Sequence, residues 1–219
     1  MRSTVSSVEC KKIRDAISEE ISKRVEELDA VVYAITVEFS GIDVSPKGLG
    51  VNRDSSLDRK IRYVQHMTGR FWQRLLKYLL GSNYNRACHR GMHPTMFAFH
   101  GEPGDGGWFR TARYNNSRLG SHAHLILLVP RSMLSVYRHV GTRREMMRVL
   151  ITFAARKACR DALVSSRTEY VYDLGGWVKF CSKGLEHRQL ISRVHPQELF
   201  FGFAPPSLNR QKALAISSH

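Results

Sequence analysis

Apolar positions recur along this chain with two periods, one helical and one strand-like. In three long segments, apolar side chains return every three or four residues, so each segment is expected to bury one face of a helix. These segments cover residues 7–29, 57–80 and 142–164. Shorter runs rich in apolar and β-branched residues, most of them bounded by Gly, Pro or Ser, predict strands. The predicted strands cover residues 30–39, 95–100, 120–130 and about 168–172.

These elements predict an α+β domain with a central antiparallel β-sheet flanked by helices, which lie mostly on one face. The strand at 95–100 is expected to pair antiparallel with the strand at 120–130. The segments between the elements are rich in Gly, Pro, Asn and Ser and predict loops. The expected organisation is an N-terminal helix, a main domain, and a C-terminal extension with a partly disordered tail, at residues 1–29, 30–190 and 191–219.

The run at 120–130 is organised around two histidines. It opens with Gly-Ser-His-Ala-His, continues with five apolar residues and ends at Pro130. Because strand side chains alternate between faces, His122 and His124 are expected to point the same way. Two imidazoles so placed on a rigid strand can hold one divalent metal ion. The alternative is a half-exposed pair at the entrance of a strand, with no ligand.

A further ligand is available at the end of the preceding predicted strand. His100 and Glu102 share a face if that strand continues, and either can complete a site with His122 and His124. Two imidazoles and one carboxylate bind Mg²⁺, Mn²⁺ or Zn²⁺ and leave positions open for a phosphate oxygen. Beside a basic surface, such a site indicates phosphoester chemistry on nucleic acid.

The charge balance points to the same class of partner. The chain has 34 Lys and Arg against 19 Asp and Glu, a net charge of +15. Such an excess predicts a polyanionic partner, nucleic acid first, because binding to phosphates releases their counterions. A membrane-surface role is disfavoured because the basic residues are spread along the chain. No apolar run reaches the ~20 residues of a membrane span and no secretory signal is visible, so we expect a cytoplasmic protein without a membrane partner.

The four cysteines are widely separated and form no Cys-x-x-Cys motif, which disfavours a zinc ribbon or a disulfide framework. Cys88 and His89 with His93 provide only half of a zinc site. Between the two predicted site strands, aromatic and arginine side chains are interleaved, a pattern suited to stacking on unpaired bases with phosphate contacts nearby. An ordinary basic loop anchored by a Trp is the alternative. The residues concerned are Trp108, Arg110, Arg113, Tyr114 and Arg118.

The His-x-His strand resembles the second motif of the HUH endonucleases, the superfamily of rolling-circle replication initiators, plasmid relaxases and single-strand transposases. The hydrophobic strand at 33–39 is similar to that superfamily's first motif. Its third motif is a helix that carries a nucleophilic tyrosine, often as Tyr-x-x-Lys. A short helix predicted over residues 177–184, stopped at Gly184 after a turn at 173–176, resembles that helix. Order and approximate spacing agree over residues 30–187.

The resemblance implies metal-dependent nicking and joining of single-stranded or hairpin DNA through a 5′-phosphotyrosine intermediate. It implies Mg²⁺ or Mn²⁺ rather than Zn²⁺, bound by His122, His124 and Glu102 or His100 and stabilising charge on the scissile phosphate. No Gly-x-x-x-x-Gly-Lys-Ser/Thr motif occurs, so unwinding is expected to come from a host helicase, working with a host polymerase.

Two lysines of the third motif also acquire roles from the resemblance. Lys183, one helical turn beyond position 180, is expected to lower the pKa of the nucleophile or to hold the phosphate. Lys179 is expected to contact DNA. Without the motif, Lys183 is an ordinary lysine facing the C-terminal end of a helix dipole.

The third motif departs from the superfamily at its central residue, because Phe180 stands where the pattern has tyrosine. Phenylalanine lacks the hydroxyl that attacks the phosphate, so the covalent step cannot occur there. Three explanations are open. Phe180 is an engineered Tyr→Phe change that traps an uncleaved complex, the protein is a natural relative that binds DNA without cleaving it, or the nucleophile is Tyr172 or Tyr170.

Two other functions remain open from the sequence. The chain can be a non-catalytic protein that binds nucleic acid by sequence or structure, such as a repressor or packaging factor, with structural histidines. It can also be a metal-dependent nuclease that uses activated water, which needs no tyrosine. Both enzyme hypotheses predict metal binding that is lost when His122 and His124 are replaced. The non-catalytic binding protein does not predict it.

Overall fold

The computed structural model describes residues 7–39, 53–84, 93–101, 122–135, 143–160, 163–182 and 200–203. The strands in this part of the chain are β1 (Ala30–Phe39), β2 (Thr95–Gly101), β3 (His122–Pro130), β4 (Leu163–Tyr170) and β5 (Phe200–Phe203). The helices are α1 (Ser7–Glu27), α2 (Arg53–Leu80), α3 (Arg131–Ser135), α4 (Arg143–Cys159) and α5 (Leu174–Cys181).

The five strands form one antiparallel sheet in the order β4-β1-β3-β2-β5. The central pair is β1 and β3, whose register matches Tyr33 with Leu127 and Thr36 with His124. β2 lies on the other side of β3, in the antiparallel pairing that the sequence predicts. The α+β class with a central antiparallel sheet is therefore confirmed.

One face of the sheet packs against α2 and α4. Tyr33 of β1 and Leu127 of β3 point to this face, and they share a buried cluster with Phe71 of α2 and Ile151 of α4. Burial of a side chain of this size stabilises the fold by roughly 1.5–3 kcal/mol. The apolar stripes predicted for residues 57–80 and 142–164 provide the surfaces that cover this face.

The opposite face packs against α1 and α5. Val32 and Ile126, each next to a residue of the first cluster, point here and join Ile21 of α1 and Val178 of α5. Helices thus cover both faces, and the prediction that they lie mostly on one face is wrong. β1 and β3 are apolar at consecutive positions, because a strand covered on both sides must bury both sets of side chains.

Element boundaries differ from the sequence prediction mainly around α4. This helix ends at Cys159 rather than near residue 164, and Arg160 follows it with a φ of 45°, in the left-handed region where helices commonly end. β4 consequently begins at Leu163 and ends at Tyr170, earlier than the predicted strand. The short helix α3 was not predicted from the sequence, since five residues are too few to show a helical period.

The sheet extends into the segment that the sequence assigned to a C-terminal extension. β5 pairs with β2, with Phe200 opposite Phe99 and Phe203 opposite Met96. Four residues are too few to show a strand pattern, so only the available edge of β2 identifies this element as a strand. Among the described residues, no helix has the length and apolar character needed to cross a membrane.

Candidate functional site

His122 and His124 lie together on β3, on the face of the sheet that carries α1 and α5. Their ring centroids are 4.8 Å apart, with 77° between the ring planes. The shared face follows from strand alternation, as predicted, and Ala123 between them is fully buried on the other face. The two imidazoles can therefore approach one common ligand.

His124 is fixed by contacts from three sides. Its Nδ1 lies 3.1 Å from the Oγ1 of Thr36, its cross-strand neighbour on β1. The ring of Phe180 meets it edge-on at a centroid distance of 4.9 Å, and the ring of Trp177 does so at 6.2 Å. Burial lowers the pKa of His124 to about 3, with the neighbouring His122 as a second cause. The imidazole is therefore neutral at physiological pH, which is the form that binds metal.

His122 occupies space that a glycine leaves open. It lies opposite Gly101 of β2, where a Cβ would overlap the His122 ring. On its other side, the cross-strand neighbour of His122 is Glu38. The carboxylate of Glu38 accepts a hydrogen bond of 3.0 Å from the hydroxyl of Ser165 on β4. Gly101 thus allows the ring to lie over the backbone of the adjacent strand.

The helix α5 brings two aromatic rings to the histidines. Asp173 caps its N-terminus by accepting a hydrogen bond of 2.9 Å from the Gly176 N–H. The predicted turn at 173–176 is thus the first turn of the helix, with Asp173 as its cap. Trp177 and Phe180, three residues apart and so on one side of the helix, are stacked at 5.0 Å with 27° between their planes. The capped helix fixes the position of this stacked pair.

The structure separates the alternative nucleophiles from this site. Tyr170 pairs with Tyr33 on β1, and their rings meet edge-on at 6.1 Å on the face packed against α2 and α4. Tyr172 is 80% exposed and its ring contacts Tyr170 at 4.7 Å. Phe180, by contrast, is in contact with His124. The position that resembles the superfamily's tyrosine is the one that lies beside the histidines.

His100 does not join the histidine pair. It lies opposite Ala123, so its side chain points to the opposite face, where it is 3% exposed. The predicted share of His100 in one metal site with His122 and His124 is therefore wrong, because a shift of one residue along a strand reverses the face.

Several other predicted site residues lie outside the described part of the chain. Lys179 is described, and it is exposed on α5. Those outside are Glu102, Lys183, Trp108, Arg110, Arg113, Tyr114 and Arg118.

The described residues fit a metal ion in part. The imidazoles of His122 and His124 share one face of the sheet, and Gly101 leaves space for the ring of His122. Within the described ranges, no group of three or more His, Cys, Asp or Glu side chains is arranged to hold an ion. A third ligand from the protein would have to come from elsewhere, and Glu102, which strand alternation predicts on the same face as His100, lies outside the described residues.

Three residues of the site were not predicted from the sequence. Thr36, Gly101 and Trp177 surround the histidines, but their proximity depends on strand register and on the docking of α5. Of these three, only Gly101 has a feature that is visible in the sequence, because it is a glycine directly after a predicted strand. Comparisons with protein-family models, curated proteins and solved structures find no match to this chain.

Proposed function

We propose that this chain is a DNA-binding domain of the HUH endonuclease type, which recognises single-stranded or hairpin DNA beside His122 and His124. The observation that carries the proposal is the contact between His124 and Phe180, at 4.9 Å between ring centroids. Three motifs far apart in the sequence, β1, β3 and α5, meet at this point. Their order and their meeting place support the resemblance in the sequence.

The proposed metal ligands are His122 and His124. A bound Mg²⁺ or Mn²⁺ would polarise the scissile phosphate and stabilise its developing charge. Thr36 holds the His124 ring through Nδ1, which leaves Nε2 for a ligand. The stacked rings of Trp177 and Phe180 exclude water from one side of His124.

At position 180 this chain cannot form a phosphotyrosine bond. Attack on phosphorus needs a hydroxyl oxygen, and the Phe180 ring has none. The chain as it stands is therefore proposed to bind its DNA without cleavage through this residue. Strand separation and synthesis would be left to a helicase and a polymerase from the host.

We predict that Phe180→Tyr creates metal-dependent nicking of single-stranded DNA. The new hydroxyl extends from a ring already beside His124, so little rearrangement is needed. The assay is a panel of end-labelled single-stranded and hairpin oligonucleotides in Mn²⁺. Denaturing gels detect cut strands, an upstream fragment with a free 3′-OH, and protein covalently joined to the 5′ phosphate of the downstream fragment.

The controls separate the possible nucleophiles and the metal site. Adding His122→Ala and His124→Ala to Phe180→Tyr should abolish nicking, whereas adding Tyr172→Phe should leave it unchanged. If the starting chain already forms a covalent adduct that Tyr172→Phe removes, the assignment of position 180 is wrong. If the Phe180→Tyr protein binds Mn²⁺ and DNA but cuts none of the panel, the nicking proposal fails.

A non-catalytic nucleic-acid-binding protein is the second candidate, and the phenyl ring at position 180 favours it. In that case Trp177, Phe180 and His124 form a packed aromatic cluster without a metal. Quenching of Trp177 fluorescence by Mn²⁺, measured against Trp177→Phe, separates the two functions. Quenching that disappears in the double histidine variant favours the metal site, and no quenching favours the second candidate.

A further inference from the structure

A second feature with a ligand-binding character lies on the opposite side of the sheet from the histidines. A surface concavity of about 100 Å³ opens between α2 and α4, lined by Arg70, Gln73, Arg74, Lys77 and Ala158. The four α2 side chains are exposed. Ala158 on α4 is only 3% exposed and its small side chain leaves space between the two helices.

The three cations of this concavity form one row. Arg70, Arg74 and Lys77 are four and three residues apart, so they share a face of α2 over ~10 Å. Arg70 also lies close enough to the Cys159 thiol to lower its pKa, although burial is the larger effect and raises that pKa to about 11. The row on α2 therefore lies beside the C-terminal end of α4.

No carboxylate in the described part of the chain forms an ion pair with any of these three side chains. The sequence has no Asp or Glu between residues 59 and 80, nor between residues 146 and 160. Some exposed arginines elsewhere in the described part of the chain do form ion pairs, for example Arg131 with Asp29 and Arg148 with Glu145. Like charges at helical spacing repel, so an uncompensated row destabilises α2 unless an anion lies beside it.

The adjoining part of α4 adds to the positive field. Arg156 and Lys157 lie in the last turn of this helix and are exposed. Lys157 Nζ is 5.5 Å from the centre of the Phe153 ring, which contacts Tyr78 of α2 at 5.2 Å. Basic side chains therefore occupy both sides of the seam between the two helices.

We propose that the concavity between α2 and α4 binds the phosphate backbone of a nucleic acid, at a second site distinct from the histidine pair. Arginine guanidinium groups bind phosphate oxygens in pairs of hydrogen bonds, and Gln73 adds an amide donor. A row of ~10 Å accommodates one or two successive phosphates. Contacts of this kind give affinity without base specificity and hold the nucleic acid in register.

The test neutralises the row and compares it with an equal loss of charge elsewhere. The row variant is Arg70→Gln, Arg74→Gln and Lys77→Gln. The control variant is Lys23→Gln, Arg131→Gln and Arg148→Gln, three exposed cations that each pair with a carboxylate. Fluorescence anisotropy measures binding of a 20-nucleotide oligo-dT and of a 20-base-pair duplex, each from 50 to 300 mM salt.

We expect the row variant to bind about tenfold more weakly at low salt, and its slope of log K against log salt to be shallower by about 2. The control variant should stay within about twofold of the starting protein. Thermal unfolding checks both variants, and the row variant should be at least as stable as the starting protein because a repulsion is removed.

Several outcomes would overturn the proposal. Equal losses in the row and control variants would mean that net charge alone attracts nucleic acid. Unchanged oligonucleotide binding in the row variant, combined with loss of inorganic phosphate binding in titration calorimetry, would identify a small-anion site instead. The double variant His122→Ala and His124→Ala should keep the full salt slope, so failure of the nicking proposal and failure of this one are distinguishable.

Discussion

His124 shows how a single side chain acquires its properties from its neighbours. In the unfolded chain its imidazole has an ordinary pKa of 6.5, whereas burial in the native state lowers that pKa to about 3. Contacts with Thr36, Phe180 and Trp177 provide that burial. The same residue type at position 66, exposed on α2, lacks such an environment.

This pKa difference predicts loss of stability in acid. Between pH 6.5 and 3 the unfolded state binds a proton at His124 that the native state excludes, so the free energy of unfolding falls as the pH falls. Well above pH 6.5 the residue contributes no pH dependence. From pH 7 to pH 4.5 we expect a loss of about 2.5 kcal/mol from this group. Urea unfolding in EDTA at both pH values measures it.

The variant His124→Gln removes the titrating imidazole. It should reduce the acid-induced loss by about 2.5 kcal/mol. Equal acid sensitivity in the starting protein and in His124→Gln would contradict the assigned environment of His124.

Gly101 is the second residue whose role depends on one neighbour. We predict that Gly101→Ala displaces the His122 ring, since the new methyl group would overlap it. Histidine can rotate about its side-chain bonds, so the fold should persist while the affinity for Mn²⁺ falls by at least about tenfold. Isothermal titration with Mn²⁺ measures the loss.

Gly202→Ala on β5 is the control, because a Cβ there meets the Phe97 ring only at ordinary contact distances of 3.8 and 3.9 Å. Unchanged Mn²⁺ affinity in Gly101→Ala would mean that His122 does not hold the ion in the orientation described. A collapse of the fold in Gly101→Ala but not in Gly202→Ala would show that the ring has no room to move.

At the scale of elements, α5 is the part of the site whose own sequence favours its secondary structure least. It has eight residues, two of them glycines in its first turn, so its intrinsic helix preference is low. The Asp173 cap and the burial of Val178 and Cys181 compensate for this. The position of Phe180 beside His124 therefore depends on the stability of this short helix.

We predict that Asp173→Ala lowers the free energy of unfolding by about 1 kcal/mol, because the Gly176 N–H loses its acceptor. Asp173→Asn retains a capping oxygen and should cost a few tenths of that. Urea denaturation followed by circular dichroism compares the two. A similar loss in both variants would point to the charge of Asp173 rather than to its capping bond.

At the scale of the whole molecule, the sheet separates two surfaces with different chemistry. One carries the histidines beside α5, and the other carries the row of Arg70, Arg74 and Lys77 on α2. Because helices cover both faces, neither surface is an open sheet. Two proposed nucleic-acid contacts on opposite sides of one small domain would allow one molecule to hold two segments of a strand.

The sequence by itself determined the elements with strong periodicity. The bounds of β1 agree with the prediction, and α1, α2, β2 and β3 are found where their patterns place them. The shared face of His122 and His124 also follows from local geometry, because alternation in a strand needs no tertiary information. The net charge of +15 is likewise a property of composition.

Only the tertiary structure decided which distant residues meet. Cross-strand register placed Thr36 beside His124 and His100 on the opposite face, and a single-residue shift would have reversed both. The docking of α5 brought Phe180, and not Tyr170, to the histidines. The packing of α4 against α2 left the basic concavity between them. Periodicity fixes the face that a side chain occupies within its own element, whereas its neighbours depend on contacts between segments that lie far apart in the chain.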